Sequence, residues 1–121
     1  MLFHSTRGGD KDKDFASILM QGLANDGGLF MPDHWPQVDL EKIKGLQSFI
    51  EVAKEIVPLF TSSSFSQKET IKIVENTWHD FEHQDLVGIQ TIENISVLEL
   101  FHGPTAAFKD FGLQLAAAFF N

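Results

Sequence analysis

From Ala106 to Phe120 only Lys109, Asp110 and Gln114 carry polar side chains, and no other stretch constrains the chain as tightly. A segment apolar on every side reads as a buried helix. Upstream, Leu98-Glu99-Leu100-Phe101 has the pattern of a short strand running into Gly103-Pro104. Proline suits a first helical position because its missing N–H is an orphan donor there in any case. The pattern therefore predicts a helix starting at Gly103-Pro104, with Lys109 in its first turns. Burial and the positive end of the helix dipole both oppose an ammonium there, and Asp110, next in sequence, does not face it. Such an amine is neutral and nucleophilic, as Schiff-base chemistry requires. A second reading stands beside this one: the stem packs on apolar neighbours and the head snorkels to water. The residues alone leave both open.

The chain's 121 residues support one core but not two. Twelve phenylalanines and no tyrosine assign the aromatics to packing more than to polar recognition. A formal charge of −8 argues against nucleic acid and against an anionic membrane surface as partners. The absence of cysteine excludes disulfides and thiolate metal sites and fits a reducing compartment. The N-terminus lacks the charged and apolar regions of a secretory signal, and no apolar run is long enough to span a bilayer. The expected location is cytoplasmic.

Taken in order, Leu2–Ser5 reads as a strand, and the alternating charges Asp10–Asp14 as a solvated loop. Asp12 or Asp14 caps a helix with Phe15, Ile18, Leu19, Gly22 and Leu23 on one face, stopped by Asn25-Asp26-Gly27-Gly28. Leu29–Met31 reads as extended. Between Asp39 and Val57, Ile43, Leu46, Ile50, Ala53 and Val57 recur at helical spacing, with Pro58 as terminator. Ser66-Gln67-Lys68-Glu69 has capping-box spacing, and the helix after it aligns Ile71, Val74, Trp78 and Phe81. His79 and His83, four apart, have metal-gripping spacing but no third ligand in register. That segment reads as a solvated face, and no metal is expected. Leu86–Ile92 and Val97–Phe101 read as strands joined at Glu93-Asn94.

Two segments, at opposite ends, carry a family resemblance. Ser5-Thr6-Arg7-Gly8, with Gly22-Leu23-Ala24-Asn25-Asp26-Gly27-Gly28-Leu29-Phe30-Met31-Pro32, resembles the opening of the threonine synthases. His102-Gly103-Pro104-Thr105 followed by Ala107-Phe108-Lys109-Asp110-Phe111-Gly112 is similar to that family's cofactor-lysine segment. Ala106 stands where many members carry leucine. The middle of the chain matches in character only.

The resemblance implies an α+β fragment, mostly helical with a few short strands. It would be the N-terminal domain of an α/β enzyme with the tryptophan synthase β-like fold. Residues 1–96 would form that domain, and residues 97–121 would begin the cofactor-binding domain. It further implies a pyridoxal-phosphate-dependent lyase that converts O-phospho-L-homoserine and water to L-threonine and phosphate. Lys109 would hold pyridoxal 5'-phosphate covalently and then move protons. Phe108 and Phe111 would keep Lys109 dry, with Phe108 also contacting the cofactor, while His102, Thr105 and Asp110 would line the site. At His102 a backbone-bonded turn is the competing reading, at Thr105 a helix cap, and at Asp110 a dipole partner.

The family's later glycine-rich phosphate loop is missing from these residues, so the piece alone is expected to lack cofactor and activity. Its partners would be the substrate and the remainder of the same chain. The apolar tail points to a shortened chain rather than a natural remnant, and to self-association when uncovered. Two alternatives stay open: a related phospho-lyase, and a non-catalytic helical interaction module.

Overall fold

In the computed structural model, which describes residues 1–121, the chain opens with strand β1 (Phe3–Ser5) and helix α1 (Phe15–Gln21), then strand β2 (Phe30–Pro32). β1 and β2 pair antiparallel, with Phe3 opposite Pro32 and Ser5 opposite Phe30. Lys13 adds an isolated bridge to Phe3, its N–H donating to the Phe3 carbonyl at 3.0 Å. The segment read as a free charged loop is therefore tied down at both ends. Asp10 also reaches back, accepting the Asn25 N–H at 2.7 Å. Asp14 is the cap of α1, accepting from Ser17 N at 2.7 Å. The helix stops at Gly22 rather than at Asn25–Gly28. Gly22 has a φ of 75°, a left-handed conformation that glycine enters without steric cost.

Three helices follow: α2 (Leu40–Lys44), α3 (Phe49–Thr61) and α4 (Gln67–Glu75). Periodicity predicted a single helix across Asp39–Val57. Local capping divides it instead, since Gly45 closes α2 and the Ser48 hydroxyl accepts the Glu51 N–H to start α3. Pro58 does not end α3; it lies inside it and is buried. Packing of that turn offsets the loss of a single ladder hydrogen bond. At the far end of α3, the Thr61 and Thr70 hydroxyls share a hydrogen bond of 2.8 Å, both residues being buried. The capping box at Ser66 and Glu69 is present on both sides.

α4 ends at Glu75, so Trp78 and Phe81 do not extend its stripe. Trp78 takes a φ of 62°, which breaks the helix and turns the indole into the core. His79 and His83 lose their helical spacing with it, and no group of three metal-competent side chains exists. His79, Asp80 and Glu82 are solvated as expected, while His83 is half-buried, its ring packing on His102 at 4.9 Å between centroids.

The hairpin of β3 (Gly88–Ile92) and β4 (Ile95–Glu99) turns at Glu93-Asn94 as predicted, with Ile92 opposite Ile95. β3 ends at Ile92 as expected but starts two residues late, since Leu86 at φ 67° cannot extend it, and β4 lies two residues earlier than Val97–Phe101. Helix α5 (Lys109–Phe119) closes the chain.

The core joins α3, α4 and α5. Ala53, Val74, Trp78 and Leu86 are its buried centre. Phe111 packs on Phe49 at 5.1 Å and on Phe81 at 4.9 Å. A second aromatic group gathers around Phe119, with Phe15 at 5.0 Å and Phe65 at 5.1 Å. No helix is long and apolar enough to cross a membrane.

The threonine pair is a sharp test of this packing. Thr70→Val strands the buried Thr61 hydroxyl, for an expected cost of about 1–3 kcal/mol. The double change Thr61→Val/Thr70→Val is expected to recover most of that loss. Chemical denaturation of the two variants beside the parent checks this, and a double variant no more stable than the single one would refute it.

Candidate active-site lysine and its supporting loops

The helix carrying Lys109 starts at Lys109 itself, not at Pro104. Three features keep the preceding residues out of the helix. The Ala106 N–H donates to the Gly103 carbonyl at 2.9 Å, closing a tight turn. Ala106 has a φ of 54°, a left-handed value foreign to an α-helix. The Thr105 N–H is taken by the Asp110 carboxylate at 2.8 Å. The Thr105 hydroxyl also donates to Asp110, at 2.6 Å, so its role is neither of the two foreseen; Phe108 occupies the N-cap without a side-chain bond.

Lys109 is exposed, contrary to the expected burial. Two neighbours that were expected to shield it do not. Phe108 is itself 65% exposed. Phe111 is turned inward, its ring in the aromatic core and its carbonyl accepting the Trp78 Nε1–H at 2.9 Å. The aliphatic environment expected around the amine is therefore not supplied by these residues. The first-turn position is, and with it the positive end of the helix dipole. Fold ion pairs engage Lys13, Lys42, Lys44 and Lys54, while Lys109 takes part in none.

Asp110 is only 3% exposed. The Thr105 hydroxyl holds its carboxyl below the usual carboxylate range against the opposing effect of burial, helped by the Thr105 N–H. Gly103 sits directly against this carboxylate, and a Cβ there would lie 2.6 Å from the Asp110 Cβ. His102 pairs with Glu99, Nε2 to Oε2 at 2.9 Å, both side chains half-buried. Its carbonyl accepts the Glu82 N–H at 2.9 Å. His102 is thus a joint between the hairpin and the 82–88 loop, reached through Gly88, where a Cβ would come within 2.6 Å of the Glu99 Oε2.

The second matching segment is also built on a carboxylate. Asp26 accepts the Ser5 hydroxyl at 2.6 Å, the Gly28 N–H at 2.9 Å and the Gly9 N–H at 2.7 Å. Arg7 Nη1 donates to the Asp26 carbonyl at 2.9 Å. The Ser5 hydroxyl contributes most to holding the Asp26 carboxyl low, the Gly28 N–H next. Sequence reasoning recognised this motif but not its centre. The signal available was the pairing of a Ser-Thr-Arg-Gly segment with an Asp-Gly-Gly turn.

A family described as "Threonine synthase N terminus" matches residues 2–78. Threonine synthase of Schizosaccharomyces pombe is 41% identical over 97% of this chain and 24% of its own length. A protein of Xenopus laevis named threonine synthase-like 2 is 38% identical over 94% of this chain and 25% of its own. Among solved structures, PLP-bound threonine synthase from Brucella melitensis superposes with a TM-score of 0.86 at 39% identity. That match covers 97% of this chain and 26% of that one. The fold is thus the small mixed α/β unit found at the start of these enzymes. The chain belongs to the threonine synthase family. It spans about a quarter of the length of the curated relatives it matches.

Six carboxyls of the fold, Asp26 among them, are held low. A depressed folded-state value contributes stability above the unfolded value of about 3.9 and loses it as pH falls through the folded one. Asp26→Asn is therefore expected to be less stable than the parent at pH 7, with a shallower loss of stability below about pH 4. Thermal melting from pH 7 to pH 2 checks this; parallel curves for parent and variant would refute it.

Proposed function

We propose that the chain contributes the N-terminal part of a pyridoxal-phosphate-dependent threonine synthase, acting on O-phospho-L-homoserine and water to give L-threonine and phosphate. Family membership supports the enzyme class. The observation that carries the residue assignment is the position of Lys109: exposed at the first residue of α5, outside every ion pair, with its two successors anchored inward.

In this reading Lys109 Nζ would hold the cofactor covalently through its aldehyde, with loss of water, and would move a proton once freed. The cofactor, when bound, supplies the electron sink that the reaction needs. The chain's own task is placement. The start of α5 places the positive end of the helix dipole beside the amine. Phe108, exposed beside the amine, offers an apolar face to the cofactor ring, while His102 borders the same turn. Thr105 and Asp110 shape the turn from within.

We assign residues 1–96 to the N-terminal domain and residues 97–121 to the start of the cofactor domain; the hairpin straddles the division, since β4 runs from Ile95 to Glu99. The exposed stripe of Leu113 and Phe120 on α5 is a surface for the remainder of the enzyme, and uncovered it invites self-association. The compartment proposed is the cytoplasm.

A second reading is a related phospho-lyase on the same scaffold, which product analysis separates: threonine for the first, a 2-keto acid for the second. In the complete enzyme of which this chain would be the N-terminal part, Lys109→Ala is expected to lower product formation from O-phospho-L-homoserine by at least about a hundredfold. Full activity in that variant would overturn the assignment of Lys109.

A further inference from the structure

Asp110 is the one charged side chain of this fold that is buried, and it sits next to the lysine. Both its oxygens are engaged by one residue: Thr105 N–H to Oδ2 at 2.8 Å and Thr105 Oγ1–H to Oδ1 at 2.6 Å. Hydrogen bonds to an ionised acceptor are the strong kind, and here two of them join residues five apart in sequence. The turn they hold is one that would not persist alone. Ala106 at φ 54° is a non-glycine residue in left-handed conformation, a state kept only where the surroundings over-determine it. Gly103 completes the arrangement, because any side chain there would strike the Asp110 carboxylate.

The consequence for Lys109 is geometric. At 3.6 residues per turn, successive side chains are about 100° apart around a helix. Asp110 is fixed against the 103–105 turn, and Phe111 is fixed through Trp78 and the Phe49 and Phe81 rings. The preceding residue then points about 150° away from the mean direction of those two anchors, which is out of the core.

We propose that Asp110 is a positioning residue for Lys109: clamped by Thr105 against Gly103, it sets where α5 begins and so where the amine is presented. The residue is only 3% exposed and its carboxylate faces the 103–105 turn, so the role proposed is placement rather than contact with substrate. The inference rests on the reading of Lys109 as the cofactor lysine.

The test uses Asp110→Ala, Asp110→Asn, Thr105→Val and Thr105→Ser beside the parent, all made in the complete enzyme of which this chain would be the N-terminal part. Pyridoxal phosphate is added from pH 6 to 9 and fixed with borohydride. Peptide mass spectrometry then compares labelling of Lys109 with that of Lys68 and Lys72. Amide hydrogen exchange over residues 103–112 reads the clamp without the cofactor. Asp110→Ala and Thr105→Val are expected to lower the selectivity for Lys109, and to speed exchange at residue 105, each by about tenfold. Thr105→Ser keeps both bonds and is expected to retain most of the selectivity; Asp110→Asn, with one acceptor oxygen, falls between.

Faster exchange in Asp110→Ala with Lys109 selectivity and its pH profile unmoved would overturn the positioning role and leave the lysine assignment standing. Absence of Lys109 selectivity in the parent would overturn both. If Asp110→Ala fails to fold, Thr105→Val decides, since it keeps the backbone bond and removes only the hydroxyl.

Discussion

The Trp78 indole fixes the relation between the lysine helix and everything before it. Its Nε1–H donates to the Phe111 carbonyl at 2.9 Å, while its ring meets Phe49 edge-on at 5.0 Å. A buried indole N–H without a partner is costly, so this bond selects one placement of α5 against α3. That placement requires the chain to leave α4 at Glu75, accept a positive φ at Trp78, and run out through the hairpin before returning. Local helical preference lost to tertiary packing at this point, and the long return through β3 and β4 follows from that.

Two aspartates then fix the loops that the core does not reach, and they do so by the same device. Asp26 and Asp110 each accept a hydroxyl and at least one backbone N–H, and each lies against a glycine where a Cβ would collide. A carboxylate takes several donors at once, so one residue can collect the orphan N–H groups of a tight turn. The glycine lets the backbone come close enough to be collected. In both cases the residues involved, Ser5 with Asp26-Gly27-Gly28 and Gly103 with Thr105 and Asp110, are those of the two family segments. The physical content of each motif is therefore a carboxylate, a hydroxyl and a missing Cβ.

This explains what could be read in the sequence. The Ser66 capping box, the Asp14 cap and the two-residue turn at Glu93-Asn94 were legible because each depends on neighbours a few positions away. The class of the chain was legible through its motifs. The start of α5 was not, because the Pro104 signal for a first helical position was overridden by a side-chain bond from Asp110, five residues after Thr105. Pro58 was misread for the opposite reason: a strong local breaker was tolerated inside α3 because burial holds that turn. The inward turn of Phe111 needed Trp78, thirty-three residues away, which no local pattern reveals.

Lys109 separates two influences that the sequence had combined. The backbone influence, a helix N-terminus at the amine, comes from α5 and is present. The solvent influence, an apolar enclosure, is not provided by these residues, since Phe108 and Leu113 near the amine are 65% and 64% exposed. Only 16 of 121 residues are buried, so the apolar side chains of α5 and the hairpin are not consumed by this core. A face that is apolar, carries the lysine at one end and is lined with small residues at Gly112 and Ala117 is shaped for close approach by another surface. Whatever covers that face would dry the amine in the same step. In this fold, then, the placement of Lys109 comes from Asp110, Thr105 and Trp78, and on the reading of Lys109 proposed above its desolvation would need contact with a further surface.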